Sequence, residues 1–166
     1  LTNPPADQSA MDGFAARGED VSDLPCVLRL AGESAAGHPW TAPLDPGTCV
    51  RISTGANIPE GADRILILEN TLSDHNSEQI EVLEASGKDQ FIRRKGQDFH
   101  AGDILVNQGT RLNGRQIGLL AAAGHHQLMV RRKPIVAILS TGSELVEPGT
   151  NPSAAQIISS NSIMIA

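Results

Sequence analysis

Aromatic residues are almost missing from this chain. They make up 2% of 166 residues, as Phe14, Trp40, Phe91 and Phe99, with no tyrosine. Surfaces that stack single-stranded bases are built on aromatic rings, so that class of nucleic-acid binding is disfavoured. The net charge of −6 at pH 7 also disfavours a general polyanion binder, though it leaves room for a local basic patch. There are two cysteines, Cys26 and Cys49, without CxxC spacing, which argues against a zinc knuckle or a cysteine scaffold and leaves a single disulfide open. No apolar run approaches the ~20 residues of a membrane helix. The first nine residues lack a basic segment followed by an apolar one, so no signal peptide is read there. The expectation is a soluble cytoplasmic protein with no membrane or nucleic-acid partner.

Glycine and proline, in contrast, are plentiful, at 16 and 10 residues, and point to turns between short strands. With 40% hydrophobic and 19% charged residues, the chain can bury a core. Residues 1–23 are polar and broken by Pro4, Pro5, Gly13 and Gly18, and read as extended chain and turns. Strand-like runs follow at 26–31, 48–53, 64–69, 79–83 and 90–93, each bounded by Gly, Pro, Asn, Asp or Ser. Their spacing predicts a small β barrel or sandwich.

The pattern changes after Gly109. Asn113 with Gln116 three residues later predicts a capping box, followed by helix formers and a Gly124 stop. Residues 127–130 read as a strand, and Arg131-Arg132-Lys133-Pro134 as a linker. Residues 135–139 form the most apolar run, typical of a strand buried on both faces of a parallel α/β sheet. Asn161 reads as the N-cap of a last helical turn. One such strand and one turn of helix cannot close an α/β core, so the chain reads as part of a longer protein.

Four clusters have residue types that could carry chemistry. Asp7-Gln8-Ser9-Ala10-Met11-Asp12-Gly13 places two carboxylates in a small, polar segment, with a solvated turn as the plainer reading. Arg51-Ile52-Ser53-Thr54-Gly55-Ala56 ends a strand in a hydroxyl and backbone N–H groups suited to an oxyanion. Arg93-Arg94-Lys95-Gly96-Gln97-Asp98 is a local positive patch suited to phosphate, or else a charged edge strand. Ser140-Thr141-Gly142-Ser143-Glu144 follows the apolar run, where α/β sheets place ligands, and its donors suit a phosphate and a hard cation such as Mg²⁺. The histidines, His38, His75, His100, His125 and His126, have no metal-ligand spacing and read as surface or capping residues.

Taken in order, these stretches resemble the molybdopterin molybdenumtransferase family, MoeA in bacteria and the E domain of gephyrin in animals. The likeness extends through Ala31-Gly32, the run 46–56, Ile58-Pro59-Glu60-Gly61-Ala62-Asp63, Gly109-Thr110-Arg111-Leu112 and the Ser140 cluster, across nearly the whole chain. The resemblance implies an α+β, mainly β fold. A β domain would span 13–97, a linking domain 1–12 and 98–133, and 134–166 would begin an α/β molybdopterin-binding domain. It further implies the last step of molybdenum cofactor synthesis, in which molybdate is inserted into adenylylated molybdopterin with release of AMP. A divalent cation such as Mg²⁺ would assist, in a homodimer of the full-length protein, with the isolated chain inactive.

By position, the family's functional groups fall on Asp12, Thr54, Asp98 and Glu144. Asp12, Asp98 and Glu144 would organise metal, water and the pterin or molybdate. Thr54 would hydrogen-bond an anion. Arg93 and Arg94 would steer phosphate, and Ser140, Thr141 and Gly142 would contact the cofactor. The chain departs from the family at Ser159, where an acid is usual, and at Ser143, where the family has aspartate; Ser159 favours an alternative, a non-catalytic dimerisation or scaffold module of gephyrin type.

Overall fold

The computed structural model describes residues 1–73 and 78–166, so His75 lies outside the described residues. Two compact units are present, Leu1–His126 and Gln127–Ala166.

The first unit is mainly β. Its strands are β1 (Gln8–Ser9), β2 (Gly13–Ala16), β3 (Cys26–Ser34), β4 (Thr48–Ile52), β5 (Arg64–Ile67), β6 (Thr71–Leu72), β7 (Gln79–Val82) and β8 (Ile92–Arg93). Six of them form one sheet in the order β5-β2-β4-β3-β7-β6. The edge strands β5 and β6 are joined by a single 3₁₀ turn, Leu68–Asn70. Three residues can bridge the two edges only if the sheet curls round, and this gives the barrel-like form. All pairings are antiparallel except β3 with β4, whose parallel register shifts at a bulge between Leu30 and Gly32. Trp40, in the crossover between those two strands, lies against Gly32, where a Cβ would come within 2.4 Å of its ring.

The core has two parts. Phe14, Ala16, Leu28, Cys49, Leu66, Ile80 and Val82 fill the barrel. Ala15, Ile52, Ala56 and Ile65 form a second cluster, covered by Ile58, Phe91 and Ile92. Both faces of β2 are therefore packed, and all four of its residues are buried. Within residues 1–23, read as extended chain and turns, Gly13-Phe14-Ala15-Ala16 is a central strand, built from small residues around one phenylalanine because it has neighbours on both faces. Cys26 and Cys49 are free thiols, and burial pushes the Cys49 thiol up to about 12.

The strand expected at 90–93 is shorter than its composition suggests. Asp89 and Phe91 have φ of 61° and 63°, a left-handed conformation unfavourable for a bulky side chain, so only Ile92–Arg93 pairs, with β1. The helix α1 (Gly114–Ala122) forms as expected, with both arms of the Asn113/Gln116 capping box made.

The second unit has a parallel pair, β9 (Leu145–Val146) with β10 (Ile157–Ile158), followed by α2 (Asn161–Ile165). The strands expected at 127–130 and 135–139 do not form. Ile135 and Leu139 are 91% and 86% exposed. A doubly buried strand requires ladder partners on both sides, and none pairs with this run among the described residues. Ser160, not Asn161, takes the N-cap position of α2, and it makes no side-chain capping bond. Among the described residues no helix is long and apolar enough to cross a membrane.

Candidate functional site

Strand register brings the first two candidate residues together. In the antiparallel pairing of β2 with β4, Gly13 stands opposite Ile52. Asp12 enters β2 just before that pair and Thr54 leaves β4 just after it, so the two meet at one end of the sheet. Asp12 Oδ1 accepts the Thr54 backbone N–H at 2.7 Å and its hydroxyl at 3.0 Å. These two bonds, the backbone one foremost, hold the Asp12 carboxyl below its ordinary value. Asp12 is thus an exposed carboxylate, and its Oδ2 accepts no hydrogen bond among the described residues. The arrangement changes the part expected of Thr54. Both of its donors are committed to Asp12, so it orients the carboxylate and offers hydroxyl lone pairs, not a proton, to solvent.

Gly13 is essential to this geometry. A Cβ there would lie 2.0 Å from the Leu66 carbonyl oxygen, so only glycine lets β5 pack against β2 at the point where Asp12 emerges.

The segment carrying Asp12 is zipped between two loops. On one side, Ser9 N–H donates to the Ala56 carbonyl (2.9 Å), and Ser9 and Asp7 carbonyls accept from Gly55 (2.8 Å) and Ile58 (2.9 Å). On the other, Ala10 N–H donates to the Phe91 carbonyl (2.8 Å) and β1 pairs with β8. The fully buried Ser9 hydroxyl donates to the Met11 carbonyl at 2.6 Å and shapes the turn before Asp12.

Asp7 ends the same segment with a second carboxylate clamp. Its Oδ1 accepts the Lys95 backbone N–H at 2.8 Å, and its Oδ2 pairs with Arg94. The Lys95 bond leads the causes that hold its carboxyl below the ordinary range; Arg94 adds to it. Arg94 is also paired with Asp89 at 2.5 Å. Arg93 and Lys95, in contrast, form no ion pair within 4 Å among the described residues. The sequence puts Asp7 in the cluster but marks no role for it. The only signal is its position five residues before Asp12, which does not reveal a partner 88 positions away.

Asp98 is exposed, and its Oδ2 accepts from the Asn3 side chain at 2.7 Å. Backbone bonds between Asn3 and both Asp98 and Phe99 fix that crossing. No hydrogen bond joins Asp98 to Asp12 or Thr54. In the second unit, Ser140, Thr141, Gly142 and Glu144 are all exposed, and the Glu144 carboxylate folds back over Gly142, where a Cβ would come within 2.6 Å of it. Ser140 and Thr141 side chains make no hydrogen bond among the described residues. Nor do any three His, Cys, Asp or Glu side chains among those residues gather closely enough to hold a metal ion. An open cavity of about 300 Å³ between Phe99, Ile104 and Leu120 contains none of the candidate residues.

A family model described as the MoeA N-terminal region (domain I and II) matches residues 1–124. A Mycobacterium tuberculosis protein named molybdopterin molybdenumtransferase 2 is 39% identical over 170 residues, which cover 100% of this chain and 42% of that protein. A Nostoc protein named molybdopterin molybdenumtransferase is 38% identical over 170 residues, covering 100% of this chain and 38% of that protein. The crystal structure of a molybdopterin biosynthesis moeA protein from Pyrococcus horikoshii OT3 superposes with a TM-score of 0.80 at 32% identity, over 98% of this chain and 44% of that one. The chain therefore spans less than half the length of the curated relatives it matches.

Proposed function

Because the chain belongs to the MoeA family through its N-terminal region, we propose that it is part of a molybdopterin molybdenumtransferase. In this reading the full-length protein inserts molybdate into adenylylated molybdopterin, cleaves the adenylate link and releases AMP. The observation that carries it is the Asp12–Thr54 pair at the end of the sheet. A carboxylate held ionised and exposed, with one oxygen committed and one free, suits phosphate and oxyanion chemistry with hard cations better than acyl transfer, which would need a nucleophile paired with a base.

Mg²⁺ fits the donor set in a limited way. Asp12 Oδ2 is a hard, anionic and uncommitted oxygen, but no three-residue cage surrounds it among the described residues. Such a site suits a hydrated ion shared with substrate phosphate. When bound, the cation would neutralise charge on phosphate and molybdate oxygens. The chain's own contribution is positional. Thr54 fixes the Asp12 carboxylate, Gly13 and Ser9 fix the turn that carries it, and Arg93 attracts the phosphate-bearing substrate. Asp98 in the first unit, and Glu144 with the Ser140-Thr141-Gly142 turn in the second, are each proposed to contact metal or substrate in the full-length homodimer, in the cytoplasm.

The test is AMP release coupled to cofactor formation from adenylylated molybdopterin and molybdate. The full-length protein should turn over, this chain alone should not, and Asp12→Asn in the full-length protein should lower the rate by about two orders of magnitude. Wild-type rates for Asp12→Asn would overturn the site. Absence of turnover in the full-length protein would overturn the enzyme reading and leave the scaffold alternative.

A further inference from the structure

The segment 7–12 ends in two similar clamps. Asp12 takes one backbone N–H and one side-chain donor from Thr54. Asp7 takes one backbone N–H from Lys95 and one side-chain partner, Arg94. The first clamp belongs to the site already described. The second reaches the basic run, and it sorts the three cations. Arg94 lies between Asp7 and Asp89. A guanidinium with two carboxylate partners has most of its charge and donors satisfied, which makes it a poor anion receptor. Arg93 and Lys95 keep their charge without an ion-pair partner among the described residues. Gly96, with φ of 75°, turns the chain directly after the Lys95 amide that Asp7 holds. The clamp is backed by rigid structure, since the Asp7 carbonyl is tied to Ile58 and Gln8 stands in register with Arg93.

We propose that Asp7 is a positioning residue: its carboxylate fixes the 93–95 run to the segment that carries Asp12, turns Arg94 into the fold's own ion pairs, and leaves Arg93 and Lys95 to meet an anionic group of the substrate. This rests on the reading above that Arg93 attracts a phosphate-bearing substrate. It differs from the sequence expectation in that Arg94 is a structural cation and not a ligand contact.

The charge of Asp7 makes the proposal testable by sign. Asp7 is a negative group beside the basic run. If its only effect were electrostatic, its removal would strengthen anion binding. If it positions the run, its removal weakens anion binding despite the gain in positive charge.

The measurement is binding of pyrophosphate to the full-length protein by titration calorimetry at fixed ionic strength, with AMP release followed in parallel. Asp7→Ala should weaken pyrophosphate binding about tenfold, the scale of one charge-assisted hydrogen bond. Asp7→Asn should recover most of that loss, because its amide oxygen can still accept the Lys95 N–H. Adding Arg94→Gln to Asp7→Ala should cause no further loss, whereas adding Arg93→Gln should. The Asn variant also guards against a folding defect in the Ala variant. Unchanged or tighter binding in Asp7→Ala, or no pyrophosphate binding by the unsubstituted protein, would overturn the proposal. An unsubstituted protein that binds pyrophosphate but releases no AMP would overturn the enzyme reading, and the comparison of variants would still decide the role of Asp7.

Discussion

Replacing Gly13 with alanine tests the link between fold and site most directly. The new Cβ would sit 2.0 Å from the Leu66 carbonyl oxygen, 2.9 Å from the Leu66 carbonyl carbon and 3.1 Å from Ile67 Cα. All three are backbone atoms, so no side-chain rotation relieves the clash. Reaching ordinary contact requires β2 and β5 to separate by more than an ångström at the Gly13/Ile67 pair. Overpacking costs about 1–3 kcal/mol, and weakening ladder hydrogen bonds in a strand buried on both faces adds about 1–2 kcal/mol, so the expected loss is roughly 2–5 kcal/mol. For a unit of this size that corresponds to a fall in Tm of about 8–20 °C. Gly55→Ala is the control. Gly55 has φ of 82°, and a methyl group placed there would meet nothing within 4 Å, so only backbone strain of about 1 kcal/mol applies. Urea unfolding of both variants, read by circular dichroism, decides the matter. If Gly13→Ala costs no more than Gly55→Ala, the close approach of β5 to β2 does not constrain this position.

Thr54→Val should let the Asp12 carboxyl move part of the way back toward its ordinary value of 3.8, because the hydroxyl bond is lost while the stronger backbone bond remains; NMR titration of Asp12 checks this, and an unmoved titration would contradict it. Asp7 and Asp12 are both held low in the folded state, so their stabilisation is complete well above pH 3.8 and is lost as pH falls through the folded values. The stability difference between the parent and Asp7→Asn should accordingly shrink in urea melts as pH is lowered from about 7 to about 2.5, and a constant difference would show that the carboxylate is not its source. Asn113→Ala removes the acceptor of the Arg115 and Gln116 amides, at 2.9 and 3.3 Å. Because α1 has no buried residue, the loss of about 1 kcal/mol should appear as faster amide exchange in its first turn with little change in global Tm.

Most of the barrel is legible in the sequence because its strands carry ordinary signals. The 48–53 run, with apolar and polar residues roughly alternating, forms β4, and the continuous aliphatic run at 64–69 forms β5 before turning into the 3₁₀ bridge. The capping box is legible because it is local chemistry, complete within four residues. β2 is not legible, and the reason is physical. Alternation arises when one face of a strand meets water, and β2 meets water on neither face. The same principle misleads at 135–139. A continuous aliphatic run is the signature of a doubly buried strand, but composition supplies only one of the strands required. Without partners in register the run forms no strand and stays exposed.

The candidate site divides along the same line. Asp12 and Thr54 are 42 positions apart, and nothing in their local sequences implies that they touch; they meet because Gly13 stands opposite Ile52. Family resemblance nominates both residues as site candidates and assigns Thr54 to an anion, since a motif records which residues recur and not where their protons go. Once both Thr54 donors are assigned to Asp12, the hydroxyl becomes part of the support for the carboxylate. Arg94 follows the same logic, because three adjacent cations read as one patch until Asp7 and Asp89 neutralise the middle one. Charge runs and polar motifs therefore nominate the candidate residues, while the hydrogen bonds made between distant loops decide which of their groups remain uncommitted.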